Sequence, residues 1–190
     1  MSKSDLKHYV RVYPHYKKEI CDKTVEHLKN PDIHFDSHTF YNPQTGEYKP
    51  KSGDKELETT WQDVPTKNNL RDELWFAIDK YVKDLNLPYF YGWQGYSDLR
   101  FNRYDKNKQM AQHVDHIHTL FEGDRRGIPV LSIVGMLDDD YDGGEFMLFD
   151  DWHVPLKTGD VIIFPSVFLY PHRVEPITRG TRYTFISWVF

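Results

Sequence analysis

His113-Val114-Asp115 sets an imidazole and a carboxylate two residues apart. On a strand, residues i and i+2 share a face, so this pair can address one ion together. A third ligand must come from elsewhere, and His172, just after Pro171, is the best candidate. Two histidines and a carboxylate on one side of a metal leave its other positions open, which suits non-haem iron chemistry with dioxygen. Arg182 lies on the next strand candidate, with Gly180 placed for the turn between. A guanidinium aimed into a barrel is costly without an anion, and its fork pairs bidentately with a carboxylate such as that of a small diacid. Asn102 and Tyr104 share a face of the segment Leu99 to Tyr104. Tyr104 lies close enough to His113 in sequence for their strands to pair, and its hydroxyl could donate to the carboxylate that Arg182 holds. Each feature alone also has an ordinary explanation: a solvated strand end, an internal salt bridge, a core tyrosine with its hydroxyl at the rim.

The elements that must position these residues fall into two halves. In the first, Tyr16, Ile20, Val25 and Leu28 recur at helical spacing, with Pro14 suited to a first turn and Asn30-Pro31 as a stop. His38 to Tyr41 and Glu47 to Lys49 flank a turn signal at Asn42 to Gly46, which predicts a hairpin or extended excursion. Lys51 to Thr60 is charged and contains glycine, so a mobile loop is expected. Thr66 opens a stronger helix with the stripe Leu70, Leu74, Ile78, Tyr81 and Leu85, beside Ala77 and Val82, ending at Asn86-Leu87-Pro88. From Tyr89 the pattern changes to seven short strand candidates: Ser97 to Tyr104, Gln109 to Asp115, Val130 to Leu137, Glu145 to Phe149, Val161 to Phe164, Tyr170 to Val174 and Tyr183 to Val189. That succession predicts a mainly β fold with flanking N-terminal helices, an α+β arrangement around a sandwich or barrel of jelly-roll type. One domain spanning 1–190 is expected, with 1–88 as a helical and hairpin support and 89–190 as the core.

Composition sets outer limits. At 190 residues the chain can bury a core without disulfides, and its 16% aromatic content supports one at only 39% hydrophobic residues. A net charge of -5 argues against a nucleic-acid scaffold, since phosphates need a basic face. Cys21 is the sole cysteine, so a reducing, cytoplasmic setting is the simplest. Met1 to Val10 is polar, with no apolar signal segment, and no apolar run approaches the roughly 20 residues of a membrane span.

Taken in order, these segments resemble the prolyl 4-hydroxylase-like branch of the iron(II)- and 2-oxoglutarate-dependent oxygenases, from about Leu99 to Phe190. Phe101-Asn102-Arg103-Tyr104 and then His113-Val114-Asp115 are similar to that branch's first iron-binding segment. Gly143-Gly144-Glu145-Phe146 resembles its glycine-glycine-glutamate turn, and Pro155, Gly159-Asp160 and Phe164-Pro165 resemble the stretch beyond that turn. His172 through Arg182, ending near Trp188, is similar to the second metal segment and the 2-oxoglutarate anchor. The resemblance implies a double-stranded β-helix core of the jelly-roll or cupin-like kind. It implies Fe(II) held by His113, Asp115 and His172, and 2-oxoglutarate held through its distal carboxylate by Arg182 with help from Tyr104, Asn102 standing on the same face. Dioxygen is the other co-substrate, and ascorbate a candidate reductant. The implied reaction decarboxylates 2-oxoglutarate to succinate and hydroxylates a carbon; Asp115 favours hydroxylation over halogenation, because halogenating relatives lack that carboxylate. Glu145 is expected to be structural, or to support the ligands from behind, rather than to be a ligand itself. The chain departs from the pattern at Asn107 to Met110, where the family often has glycines and a second aromatic.

For the substrate, a prolyl residue in a peptide or protein is expected, lying extended in a groove beside the iron. A free amino acid or small metabolite is the nearest alternative. Tyr91, Trp93, Trp61 and Tyr96 are aromatic enough to line such a groove, and are as readily core or rim residues. Thr119 to Gly127 and Thr45 to Lys55 have the charge and glycines of mobile lids, and His116 and His118 are read as loop residues. Two rivals stand beside the oxygenase: a non-catalytic jelly-roll binding module, which leaves the histidines and aspartate without a purpose, and a zinc hydrolase, which has no need of Arg182.

Overall fold

In the computed structural model the described residues are 2–42, 44–87, 95–115 and 129–190. The first half supplies α1 (Lys3–Lys7), β1 (Arg11–Pro14), α2 (Lys18–Leu28), β2 (Asp36–Ser37), β3 (Phe40–Asn42), β4 (Glu47–Lys49), β5 (Glu58–Thr60) and α3 (Lys67–Asp84). The second half supplies β6 (Arg100–Tyr104), β7 (Met110–His113), β8 (Leu131–Met136), β9 (Asp142–Gly143), β10 (Phe146–Leu148), β11 (Trp152–Val154), β12 (Asp160–Pro165), β13 (His172–Val174), β14 (Ile177–Arg179) and β15 (Arg182–Val189).

Two sheets face each other. The larger runs β1-β12-β8-β15-β6-β5-β2 and the smaller β11-β10-β13-β7. Parity along each strand decides which layer a side chain joins. On β15, Tyr183, Phe185 and Val189 point outward to the helices, where they meet Leu28, Leu74 and Ile78. Ile186 and Trp188 point inward, among Val134, Ile162, Phe146 and Val174. All eight residues of β15 are buried, as a central strand covered on both faces requires. The stripe of α3 lands as its spacing predicts: Leu70, Leu74, Ala77 and Ile78 have no exposed surface. The mainly β sandwich with flanking helices therefore matches the expected class.

Several local expectations need correction. Pro14 does not open α2; it ends β1, opposite Asp160, since a strand terminus tolerates a residue without an amide proton. Lys51 to Thr60 is not simply a loop: a 3-10 turn at Gly53–Lys55 leads into β5, which pairs with β6, and Glu56 and Leu57 are fully buried. Its charged residues mask one central apolar anchor, Leu57. The expected hairpin forms as β3 against β4. The support region also contributes β1, β2 and β5 to the larger sheet. Tyr104 and His113 do not lie on paired strands, because β6 and β7 belong to opposite sheets; Tyr104 pairs instead with Arg182. Asp115 lies past the end of β7 rather than on it. β14 intervenes between β13 and β15, so His172 opens the third strand from the end. Gly180 makes the predicted turn, at φ +77°, a region that glycine occupies without strain. Tyr91, Trp93, His116, His118 and Thr119 to Gly127 lie outside the described residues.

Candidate metal centre and anion pocket

The first histidine comes from the end of β7 and the second from the start of β13, and the register sets them directly opposite each other. Their ring centroids are 4.2 Å apart. The chain turning off β7 then brings Asp115 back: its Oδ1 lies 3.4 Å from His113 Nε2 and 3.7 Å from His172 Nε2. One ligand atom from each of the three residues lies within 4.8 Å of the others.

Neighbouring groups fix which atoms face inward. His113 Nδ1 lies 2.9 Å from the Ala111 carbonyl and His172 Nδ1 3.1 Å from that of Tyr170. A carbonyl only accepts, so each Nδ1 carries a proton, and in the neutral ring Nε2 is then the atom that presents a lone pair. His113 Nε2 is buried with no hydrogen-bond partner. Asp115 Oδ2 accepts from Ser132 Oγ at 2.6 Å and Trp188 Nε1 at 3.0 Å, leaving Oδ1 for the shared point. Burial alone would raise the Asp115 carboxyl, but His172, His113 and the Ser132 hydroxyl outweigh it and hold it well below the usual range. Burial, reinforced by His113, pushes His172 down to about 4. At neutral pH the cluster is thus an ionised carboxylate and a neutral His172, a donor set that fits a divalent cation.

Arg182 opens β15 on the same inner face, with 1% of its surface exposed. Its Nε donates to the Tyr141 hydroxyl at 3.1 Å, and its guanidinium stacks 4.9 Å from the centre of the Tyr104 ring. Nη1 is buried without a partner. Thr184, two residues on and facing the same way, buries a hydroxyl that also lacks one. A buried cation with an unfilled donor beside an unfilled hydroxyl fits an anion with several acceptors. Asn102 is fully buried; its Oδ1 accepts from Arg100 Nε at 3.2 Å, and its Nδ2 lies 3.5 Å from the Tyr104 hydroxyl. It braces this wall.

One cleft between the sheets is lined by His113, Asp115, His172, Tyr104, Arg182, Arg100 and Trp188. Its free space is about 20 Å³, the scale of one water molecule, so a five-carbon diacid enters only as lining side chains shift. Unbranched Met110, at the wall, is the most adaptable of them. An open surface hollow of about 590 Å³ beside Lys17 and Asp72 shares none of these residues, whereas one of about 330 Å³ beside Tyr141 and Glu145 also reaches Arg182. The β3–β4 excursion closes over the histidine end: Phe40 lies 5.3 Å from the His113 ring, His38 packs on Phe40 at 4.7 Å, and Lys51 Nζ is 4.4 Å from the Phe40 ring. Of the expected groove aromatics, Tyr96 packs toward the helices and bonds the Arg71 carbonyl, and Trp61 stands half-exposed beside α3; neither lines the cleft. Glu145 is exposed in its turn and stands outside the metal cluster. Sequence reasoning passes over Arg100, Trp188, Ser132 and Thr184. Strand parity counted from Tyr104 and Arg182 is the signal that could have found all but Ser132.

Residues 99–190 match the family model of the 2OG-Fe(II) oxygenase superfamily. A PKHD-type hydroxylase of Acinetobacter baumannii is 38% identical over 95 residues, covering 47% of this chain and 41% of that protein. A PKHD-type hydroxylase of Delftia acidovorans is 37% identical over 97 residues, again covering 47% and 41%. The match thus spans less than half the length of these relatives. Among solved structures, a Pseudomonas putida prolyl-4-hydroxylase superposes with a TM-score of 0.64 at 21% identity, covering 98% of this chain and 95% of that one. A Trichoplax adhaerens prolyl hydroxylase in complex with a hypoxia inducible factor peptide fragment gives 0.68 at 14%, covering 95% and 83%. The similarity to the 2OG-Fe(II) oxygenase superfamily thus lies in the C-terminal half, residues 99–190. The solved prolyl hydroxylases share this chain's fold. No helix among the described residues is long and apolar enough to cross a membrane.

Proposed function

We propose that the protein is an Fe(II)- and 2-oxoglutarate-dependent dioxygenase that hydroxylates a carbon centre, with a prolyl residue of a peptide or protein as substrate. The observation that carries this reading is the pairing, inside one cleft, of the His113–Asp115–His172 cluster with the unfilled guanidinium of Arg182. His113 Nε2, His172 Nε2 and Asp115 Oδ1 would hold the iron. Arg182, with Thr184 beside it, would take the distal carboxylate of 2-oxoglutarate, and Tyr104 would position the guanidinium from below. When bound, the iron supplies the redox chemistry that couples decarboxylation of 2-oxoglutarate to transfer of one oxygen atom from dioxygen to carbon.

The chain's own part is electrostatic and geometric. Ser132 and Trp188 fix the carboxylate's orientation, and the Ala111 and Tyr170 carbonyls fix both imidazole tautomers. The apolar wall of Phe146, Phe164 and Ile186 excludes water from the reacting centre. Regions 1–88 and 89–190 act as one unit, with Phe40 and its hairpin forming the substrate-side rim. The prolyl assignment is favoured by the kinds of structure it superposes on, one of them holding a peptide.

Incubation with Fe(II), ascorbate and labelled 2-oxoglutarate tests the activity. Succinate should form without added substrate and vanish in His113→Ala and Asp115→Ala. A wild-type chain that forms none under loaded conditions overturns the assignment. Mass spectrometry of a peptide panel for a gain of one oxygen then tests the substrate.

A further inference from the structure

Arg182 is not the only arginine in the cleft. β6 turns Arg100, Asn102 and Tyr104 to its inner face, and the register sets Tyr104 opposite Arg182 and Arg100 opposite Ile186. The two guanidinium groups therefore stand at different levels. Arg182 marks the end remote from Trp188, while Arg100 lies 5.2 Å from the centre of the Trp188 ring. That same indole donates to Asp115. Arg100 thus sits at the level of the metal cluster. It donates through Nε to Asn102 and, among the described residues, forms no ion pair. Stacking on an indole stabilises a cation through its face, and with Nε given to Asn102 the guanidinium's outer edge is left to meet a ligand. In this narrow cleft Arg100 shares its space with Arg182, and the anion that draws it is Asp115, the carboxylate that a metal would claim; an arriving anion would then meet a cation with no partner of its own.

We infer that Arg100 is the specificity-determining residue of the substrate side, reading a carboxylate carried next to the carbon that is hydroxylated. This rests on the oxygenase reading, which assigns the diacid's distal carboxylate to Arg182 and so leaves Arg100 for the second substrate. Lys51 at the rim, stacked on Phe40 above His113, adds positive charge to the entrance and favours acidic over neutral substrates. The carboxylate has two sources: an acidic side chain beside the target residue in a peptide, or the main-chain carboxylate of an amino acid or chain end.

The test uses the full chain loaded with Mn(II) and 2-oxoglutarate, which binds substrate without turnover. Two probe pairs are titrated: a capped Ala-Glu-Pro-Ala peptide against its Gln isostere, and N-acetylproline against N-acetylprolinamide. At least one acidic probe should bind about tenfold tighter than its neutral twin, a typical gain for a charge-assisted contact. Which pair discriminates identifies the source. The preference should disappear in Arg100→Gln and survive in part in Arg100→Lys, which keeps the charge but not the fork. Affinity for Mn(II) and 2-oxoglutarate should hold within twofold in both variants, which also reports that they are folded. Equal binding within both pairs, or a preference that persists in Arg100→Gln, overturns the inference. Loss of 2-oxoglutarate affinity in Arg100→Gln overturns it too, by moving Arg100 into the co-substrate pocket. A wild-type chain that takes up neither Mn(II) nor 2-oxoglutarate overturns the oxygenase reading beneath it, a distinguishable failure.

Discussion

Replacing Arg182 by methionine should weaken co-substrate binding while leaving the fold at least as stable, and the two effects come from one structural fact. The guanidinium is buried with Nη1 unfilled. When a carboxylate fills it, the pair is a desolvated, charge-assisted contact. Truncating one partner of such a pair costs about 2–5 kcal/mol, equivalent to roughly 30- to 4,000-fold in affinity. Without 2-oxoglutarate the sign reverses. The variant removes an unsatisfied buried donor, a relief of about 1–3 kcal/mol, and loses the Tyr141 hydrogen bond, worth about 0.5–1.5 kcal/mol, together with the stacking on Tyr104. The net change lies near zero or on the stabilising side. Calorimetric titration of 2-oxoglutarate into Mn(II)-loaded protein reads the first effect, and thermal denaturation reads the second. At one hundred times the dissociation constant, ligand stabilises the wild type by about 2.7 kcal/mol, which at about 2–4 °C per kcal/mol raises its Tm by roughly 5–11 °C. The same concentration should raise the Tm of the Arg182→Met variant by no more than about 2–3 °C, and not measurably at the upper end of the affinity loss. Two results would refute the reasoning: 2-oxoglutarate binding within threefold of wild type, or Mn(II) affinity falling as far as 2-oxoglutarate affinity does.

Trp188→Phe removes the indole donor to Asp115 and should reduce Mn(II) affinity about 10- to 100-fold, the usual cost of losing a ligand's supporting hydrogen bond; an unchanged affinity would show that Ser132 alone orients the carboxylate. Burial, together with Asp139, pushes the Asp138 carboxyl up to about 6, against the Tyr183 amide and Arg182. A carboxyl raised on folding contributes stability below its unfolded pKa and loses it as pH rises through the folded value. Asp138→Asn, which keeps an acceptor for Tyr183 N–H, should therefore raise Tm at pH 7.5, with the gain fading by about pH 4 in scans across that range. Gly143 holds φ +76°, and a Cβ there would sit 2.3 Å from the Pro176 carbonyl oxygen. Gly143→Ala should cost about 2–5 kcal/mol through left-handed strain and crowding, and a Tm within a degree of wild type would contradict that.

Periodicity made the helix layer legible. The α3 stripe needs only 3.6-residue spacing, and a helix satisfies its own backbone, so its assignment does not depend on distant partners. β1 and β5 were harder for the opposite reason. Each is a short strand defined by what it pairs with, β12 and β6 respectively, far away in sequence. In Lys51 to Thr60 the charged residues Lys51, Asp54 and Lys55 are exposed, Glu56 is buried where no pattern predicts it, and the sole strong apolar signal is Leu57, too little to mark a strand locally. The same dependence on partners explains the error over Tyr104. Nearness in sequence suggested that β6 and β7 pair, but a jelly roll sends successive strands to opposite sheets.

The site divides along the same line. His113, Asp115, His172 and Arg182 stood out because their residue types carry chemistry wherever they fall. Trp188, Ser132, Thr184 and Arg100 matter through where the fold delivers them. Parity along β15 links Arg182 to Thr184, Ile186 and Trp188, and parity along β6 links Tyr104 to Asn102 and Arg100. Once two anchors are accepted as facing inward, the remainder of each inner face can be assigned without coordinates. The polarity of those faces then carries the functional argument. An ordinary sandwich interior would fill them with aliphatic side chains. Here each inner face bears an arginine, and the two stand at different levels of one cleft. A single diacid bridging Arg182 and a metal satisfies only one of them, so the second arginine calls for an acidic partner of its own.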